Sequence, residues 1–272
     1  MSGWRFTLKQ PPALRVDLRG ITPTALAGMV VADIERLPVG CGNVTLALAE
    51  FFGIEALASD ALVFDADLAR FDRVGWQMSG GLMQVEGSVG HYAGGCMSAG
   101  ELAVKGHAGA LAACEMAGGT LTVDGNVGDF AASTLPGSMD GMRGGSLIVK
   151  GCAGARFGDR MRRGSALVFG DVGGFLASRM VAGTIAVGGC AGAHAGYGMR
   201  RGSVVFAAGP AALQPGPTFV PALADAGVIW QLLARDLARH GGPFAGLATM
   251  RIERHLGDVA VGGKGELIVA RP

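Results

Sequence analysis

Arginine is the residue type whose placement in this chain suggests chemistry. Of 23 basic residues only four are lysine, at positions 9, 105, 150 and 264. Arg143 follows Met142, Arg162 and Arg163 follow Met161, and Arg200 and Arg201 follow Met199. Arg160 and Arg179 stand just before Met161 and Met180. A guanidinium is planar, always charged, and meets a carboxylate through two parallel N–H bonds. Arginines brought into one stripe would suit a polycarboxylate or the acidic face of a partner protein. The same stripe could equally be a solvated edge that discourages unwanted strand pairing.

No other constellation points to chemistry. Histidines lie at 91, 107, 194, 240 and 255, and none has a second His or Cys at metal-ligand spacing, so no metal site is expected. Asp124, Asp129, Asp159 and Asp171 are scattered rather than gathered for acid–base work. There is no phosphate-cradling Gly-rich loop followed by Lys and Ser or Thr. Cysteines at 41, 96, 114, 152 and 190 form no C-x-x-C pair; Cys152 and Cys190 each sit in Gly-Cys-Ala-Gly and read as small corner residues. No catalytic residue is predicted.

The element that would align the arginines is a repeat. Met78, Met97, Met116, Met142, Met161, Met180 and Met199 are separated by 19, 19, 26, 19, 19 and 19 residues. Each methionine opens the pattern Met-x-x-Gly-x-Φ-x-Val-x-Gly-x-x-Gly, with Φ mostly aliphatic. The copy Met116, Gly119, Leu121, Val123, Gly125, Gly128 shows it in full. Apolar residues two apart make a short half-buried strand, and flanking glycines make corners. Glycine at this frequency excludes a helical solenoid, because each costs about 1 kcal/mol relative to alanine.

The prediction is an all-β solenoid: a right-handed parallel β-helix of about 19 residues per rung, with like positions about 4.8 Å apart and α/β caps at both ends. The gap of 26 places a seven-residue loop near Leu135 to Gly141. The methionines should form an internal ladder.

Three segments follow. Residues 1–61 form an N-terminal cap with strands at Arg5–Leu8 and Leu14–Leu18 and helices at Thr24–Leu37 and Val44–Phe52. Residues 62–208 form the β-helix, with Phe64 to Val74 as a degenerate first copy. Residues 209–272 form a C-terminal cap. Pro210, Pro215, Pro217 and Pro221 end the repeat. An amphipathic helix from Ala222 to Arg239 then presents Leu223, Ala226, Trp230, Leu233 and Leu237 on one face, as a lid on the stack or a docking element, and Gly241 and Gly242 stop it. Val259, Val261, Leu267 and Val269 read as a hairpin-like tail around Gly263-Lys264-Gly265. The formal net charge of +1 gives no footprint for nucleic acid or a membrane surface. No apolar run is long enough to span a bilayer, and nothing at the start reads as a signal peptide, so a cytoplasmic location is expected.

With its flanks, the repeat [GA]-x-x-M-x-x-G-x-Φ-x-V-x-G resembles the C subunit of the formylmethanofuran dehydrogenase family. Gly75–Gly87, Gly94–Gly106, Gly158–Gly170 and Gly196–Ala208 are copies, and the tail from Gly257 to Glu266 resembles the family's C-terminal end. Met139 and Ala208 depart from the pattern. The resemblance implies a right-handed β-helix related to the C-terminal domain of glutamate synthase. It also implies a scaffold without catalytic residues, tied to a tungsten or molybdenum dehydrogenase in archaea. In methylotrophic bacteria the related chain is the C (gamma) subunit of the formyltransferase/hydrolase complex, which moves formyl from tetrahydromethanopterin to a methanofuran-type carrier and releases formate. Partners would be the A and B subunits and the formyltransferase D. The Arg-rich, Lys-poor composition suits a GC-rich bacterial genome and favours the bacterial complex. No cofactor is expected on this chain itself. A glutamate-synthase-type bracing domain and a stand-alone β-helix enzyme are the other readings.

Overall fold

The computed structural model describes residues 3–222 and 227–271. Seven strands, Ser79–Val85, Ala99–Val104, Thr120–Val123, Arg143–Val149, Arg163–Val168, Thr184–Val187 and Ser203–Phe206, lie side by side in chain order and all parallel. The pairing keeps the repeat in register. Leu102 faces Leu121, which faces Leu147, then Ala166, Ile185 and Val204. A second parallel line of single bridges runs Leu68, Val89, Ala108, Val127, Ala153, Val172, Ala191. Each repeat thus gives one strand to the main sheet and one bridge to the second line. The seven-residue insertion leaves Thr120–Val123 paired with Ser146–Val149 without a slip.

The methionines and the glycines three residues after them form one device. All seven methionines are fully buried. A Cβ on Gly119, whose φ is +81°, would lie 2.7 Å from the Met97 Cε, and one on Gly145 would lie 2.9 Å from the Met116 Cε. Every methionine methyl therefore fills the space left bare by the glycine of the next repeat. The flexible thioether suits that irregular gap, and only glycine accepts both the contact and the left-handed backbone.

The flanking segments extend the same sheet. Gly3–Leu8 pairs antiparallel with Phe52–Leu57 and parallel with Ala61–Asp65, which in turn lies parallel to Ser79–Val85. The degenerate first copy is real, with Phe64 opposite Val85, but its strand begins at Ala61. A smaller sheet orders Val44–Ala47, Pro38–Cys41, Val16–Asp17 and Phe71–Asp72. The helix expected over Val44–Phe52 is absent. Val44–Ala47 is a strand paired antiparallel with Pro38–Cys41, and Leu48–Glu50 is one 3-10 turn. Val44 and Thr45 are β-branched and favour a strand, and a partner strand was within reach. Of the helix expected over Thr24–Leu37, only Val31–Glu35 forms.

At the far end the sheet closes on a hairpin. Arg251–Gly257 and Gly265–Arg271 are antiparallel, and the second strand adds to Ser203–Phe206 in parallel, with Leu267 opposite Val204. Val259 and Val261, expected in the strands, form a half-exposed 3-10 turn between them. The long helix runs Gly227–Ala238; Leu223 and Ala226 of its expected apolar face lie outside the described residues. It is not a lid over the end of the repeats. Trp230, Ala234 and Leu237 pack with Leu167, Ala186, Val205 and Ile268 in a second core, on the flank of the last strands. Trp230 Nε1 also donates to the Met250 carbonyl at 3.1 Å. No described helix is long and apolar enough to cross a membrane.

Candidate functional site

Two corners of the repeat carry polar side chains in several copies, and they use them differently. In the corner that follows the closing glycine, one side-chain acceptor caps the backbone of the next repeat. Ser88 Oγ accepts from the His107 N–H at 3.1 Å, His107 Nδ1 from Asn126 at 2.9 Å, and Asn126 Oδ1 from Cys152 at 2.8 Å. Asp171 Oδ1 accepts from the Cys190 N–H at 2.7 Å. Three residues on, Asp72, His91 and Asp129 accept from the N–H groups of His91, Ala110 and Ala155 at 2.7, 3.0 and 2.7 Å. A next column, Tyr92, Leu111, Phe130, Arg156, Phe175 and His194, holds left-handed φ between 58° and 65°. There the Arg156 guanidinium lies 4.7 Å over Phe175, whose ring is 4.8 Å from the His194 ring.

His91, His107, Asp72, Asp129 and Asp171 are therefore occupied in holding one repeat to the next. The chemical ordinariness of these corners hides them from a search by residue type, since Ser, His, Asn and Asp share only an acceptor atom. Asp72 shows the electrostatics. Burial would raise its pKa, but the Arg15 guanidinium, at 2.5 and 2.8 Å, and the His91 N–H hold it below the usual carboxylate value. All five cysteines are free; Cys152 and Cys190 are exposed, and burial pushes the Cys114 thiol up. Among the described residues no group of three His, Cys, Asp or Glu could hold a metal ion.

The corner after the methionine carries the arginines. Its backbone is already satisfied: the N–H groups of Arg143, Arg162 and Arg200 donate to the carbonyls of Met116, Met142 and Met180 at 2.7, 2.8 and 2.8 Å. The side chains are free to project. Arg143 and Arg163 are register partners. All five predicted residues, Arg143, Arg162, Arg163, Arg200 and Arg201, line one depression of about 570 Å³, whose remaining lining is Val181 and Ala182. A neighbouring depression of about 410 Å³ shares Arg162, Arg200 and Val181 and adds Arg160, Arg179, Met139 and Tyr197, with the Asp258 carboxylate and the Ala260–Val261 turn on its far wall. The two make a continuous basic trough.

The arginines of the trough are not equivalent. Asp159 is buried and takes Arg179 Nη2 at 2.9 Å, with Arg160 Nε 3.8 Å away and the Ser178 hydroxyl donating to it. Arg160 and Arg179 thus share one carboxylate, which is held mainly by Arg179. Arg143 has Glu115 at 3.7 Å and Arg162 has Asp140 at 2.5 Å. Arg163, Arg200 and Arg201 have no carboxylate partner among the described residues. A further depression of about 300 Å³ at the other end, walled by Trp4, Pro23, Ala27 and Leu62, is mainly apolar.

No family model matches the chain. It is 45% identical over 76 residues to the C subunit of the formyltransferase/hydrolase complex Fhc of Methylorubrum extorquens, a stretch covering 28% of this chain and 29% of that protein. It is 30% identical over 99 residues to the C subunit of the tungsten-containing formylmethanofuran dehydrogenase 2 of Methanothermobacter marburgensis, covering 35% of this chain and 37% of that one. These curated matches thus span well under half of either relative. The whole structure goes further. A chain from the X-ray crystal structure of the formyltransferase/hydrolase complex (FhcABCD) from Methylorubrum extorquens, in complex with methylofuran, superposes with a TM-score of 0.90 at 40% identity, covering 98% of this chain and 100% of that one.

Proposed function

We propose, because this chain belongs to the family formed by the C subunits of formyltransferase/hydrolase complexes and formylmethanofuran dehydrogenases, that it is the non-catalytic scaffold of a formyltransferase/hydrolase complex. The observation that carries this is the end-to-end superposition at 40% identity on a chain of that complex. The higher identity to the bacterial relative than to the archaeal one favours the hydrolase complex over a tungsten or molybdenum dehydrogenase. The complex would move formyl from tetrahydromethanopterin to a methanofuran-type carrier and release formate, in the cytoplasm, with the A, B and D subunits as partners. The corner roles of His91, His107, Asp129 and Asp171 support a chain with no chemistry of its own.

In this reading the repeats wind as a right-handed parallel β-helix of about 19 residues per rung. The two parallel lines of pairing support it. Residues 1–61 and 209–272 act as caps around 62–208. The arginine trough is a docking surface for carboxylates, either of the carrier or of a partner protein; its three guanidinium groups with no carboxylate partner among the described residues support this over a merely solvated edge.

Purified alone and assayed for formyl transfer and formyl-carrier hydrolysis, the chain is expected to be silent. Isolated from its native cell, it should bring with it the other subunits, identifiable by mass spectrometry. Turnover above a mock preparation, abolished by a point change in this chain, would overturn the scaffold assignment.

A further inference from the structure

We infer that the outward stripe of the helix Gly227–Ala238 seats an amphipathic helix of another subunit, apolar over one half of its contact and acidic over the other. This rests on the scaffold reading above and adds a partner surface whose residues line neither depression of the trough. The helix has two apolar sides. Trp230, Ala234 and Leu237, spaced by four and three residues, are buried against Leu167, Ala186, Val205 and Ile268. At about 100° per residue, Val228 and Leu232 stand on the opposite side, with Ile229 on a flank. Val228, Ile229 and Leu232 are 76, 68 and 66% exposed. Aliphatic side chains gathered in this way on a rigid element mark an interaction site, where scattered ones do not.

The stripe changes character along the helix axis. Val228, Leu232, Arg235 and Arg239 recur at steps of four, three and four residues, the spacing of a seam between two packed helices. The first half of the seam is aliphatic and the second is cationic. Arg235 is exposed and has no carboxylate partner among the described residues, and Arg239, in the closing turn, has only the exposed Asp236, at 3.5 Å.

That pattern selects the occupant. A second copy laid antiparallel in full overlap would set Val228 and Ile229 against Asp236 and Arg235. One laid parallel would set arginine on arginine. Sliding the copies until only the aliphatic halves meet leaves about two turns of contact, too little for a stable interface. A bilayer does not match either. A helix lying in a membrane surface keeps an apolar face along its whole length, whereas this outward stripe passes from aliphatic to cationic, and the inner face is already buried on the sheet. What fits is a helix from a different chain, with aliphatic residues at helical spacing over Val228, Ile229 and Leu232. One to two turns further on it carries Asp or Glu, within reach of Arg235 and Arg239.

The test uses the native complex. A photo-crosslinking residue is placed at position 232 of the full chain, the complex is isolated and irradiated, and the joined peptide is identified by mass spectrometry. The expected product joins this chain to another subunit, at a segment with aliphatic residues at helical spacing and carboxylates within two turns. That subunit, purified and titrated against the chain, should bind V228S/I229S/L232S at least about tenfold more weakly. It should bind R235E/R239E about threefold to tenfold more weakly at low salt. All five side chains are exposed, so both variants should keep the melting temperature of the unaltered chain, which separates lost docking from lost folding. A crosslink to a second copy, a crosslinked segment without carboxylates, or an intact complex with no crosslink would overturn this inference and leave the scaffold reading standing. Co-sedimentation of the chain with anionic phospholipid vesicles that is lost in V228S/I229S/L232S would also overturn it, by assigning the stripe to a membrane. Isolation of the chain without any other subunit would overturn the scaffold reading and this inference together.

Discussion

The corner after the closing glycine and the corner after the methionine carry similar numbers of polar side chains, yet one is closed and the other open. In the first, Ser88, His107, Asn126 and Asp171 each give an acceptor to the N–H of the following repeat. In the second, the backbone is satisfied by methionine carbonyls, and the guanidinium groups are left to face outward. Polar residues therefore mark a binding surface only where the chain does not already consume them. The difference also predicts where damage falls: on stability at the closed corner, on binding at the open one.

The largest effect should come from the methionine line on which both corners hang. Met161→Asp should prevent folding, and Met161→Ala should cost about 2–5 kcal/mol in a denaturant titration, the usual range for large-to-small core changes. A soluble Met161→Asp chain with an unchanged melting temperature would mean that the line is not core. At the closed corner, Asp171→Ala leaves the Cys190 N–H without its side-chain acceptor and should cost about 1 kcal/mol, comparable to loss of a helix cap.

Asp72 sharpens the same point through pH. Its folded-state pKa is depressed despite burial, because Arg15 and the His91 N–H favour the charged form. A depressed carboxylate contributes stability above its unfolded pKa, and that contribution fades as pH falls through the folded value. Asp72→Asn should therefore flatten the acid limb of the stability profile while leaving the alkaline side nearly level. An acid limb identical to that of the unaltered chain would show that Asp72 has no such role. The smallest stability change should come from the open corner. Replacing Arg143, Arg162, Arg163, Arg200 and Arg201 together by Gln should alter the melting temperature little, since exposed pairs contribute about 0.2–1 kcal/mol each. The same change should weaken complex assembly or acidic-ligand binding, most clearly at low salt. Unchanged assembly and binding at low ionic strength would return the stripe to a solvated edge.

Much of this was legible because the repeat transmits register. Once the methionines are aligned, Leu102, Leu121 and Leu147 must face one another, and the arginines that follow the methionines fall at one corner, although Arg143 pairs with Arg163 across a one-residue shift. The closed corner was not legible by residue type, because His107 and Asn126 resemble each other only in offering a lone pair. Nor could spacing divide the arginines into those with a carboxylate neighbour and those without one. That division depends on Asp159, buried beside Arg179, and on Asp140, carried in by an insertion that stands outside the repeat. The Val44–Phe52 stretch misled for a different reason: its apolar residues fit either period, and the strand Pro38–Cys41 decided between them. The long helix was visible as amphipathic, but which surface it would cover depended on Leu167, Ala186 and Val205, the apolar residues of the last strands that it buries.

The methionine–glycine device also governs where the repeats stop. A Cβ on Gly265 would lie 2.8 Å from the Met199 Cε, so the terminal hairpin offers the last methionine the same bare glycine that a further repeat would have offered. Termination works by imitation, and the count of units is written into the chain rather than limited by the joint between them. Adding or removing one 19-residue unit would shift the terminal hairpin by about 4.8 Å relative to the opening strands. The molecule is in that sense a gauge block: whatever grips its two ends is held at a separation graduated in whole strands.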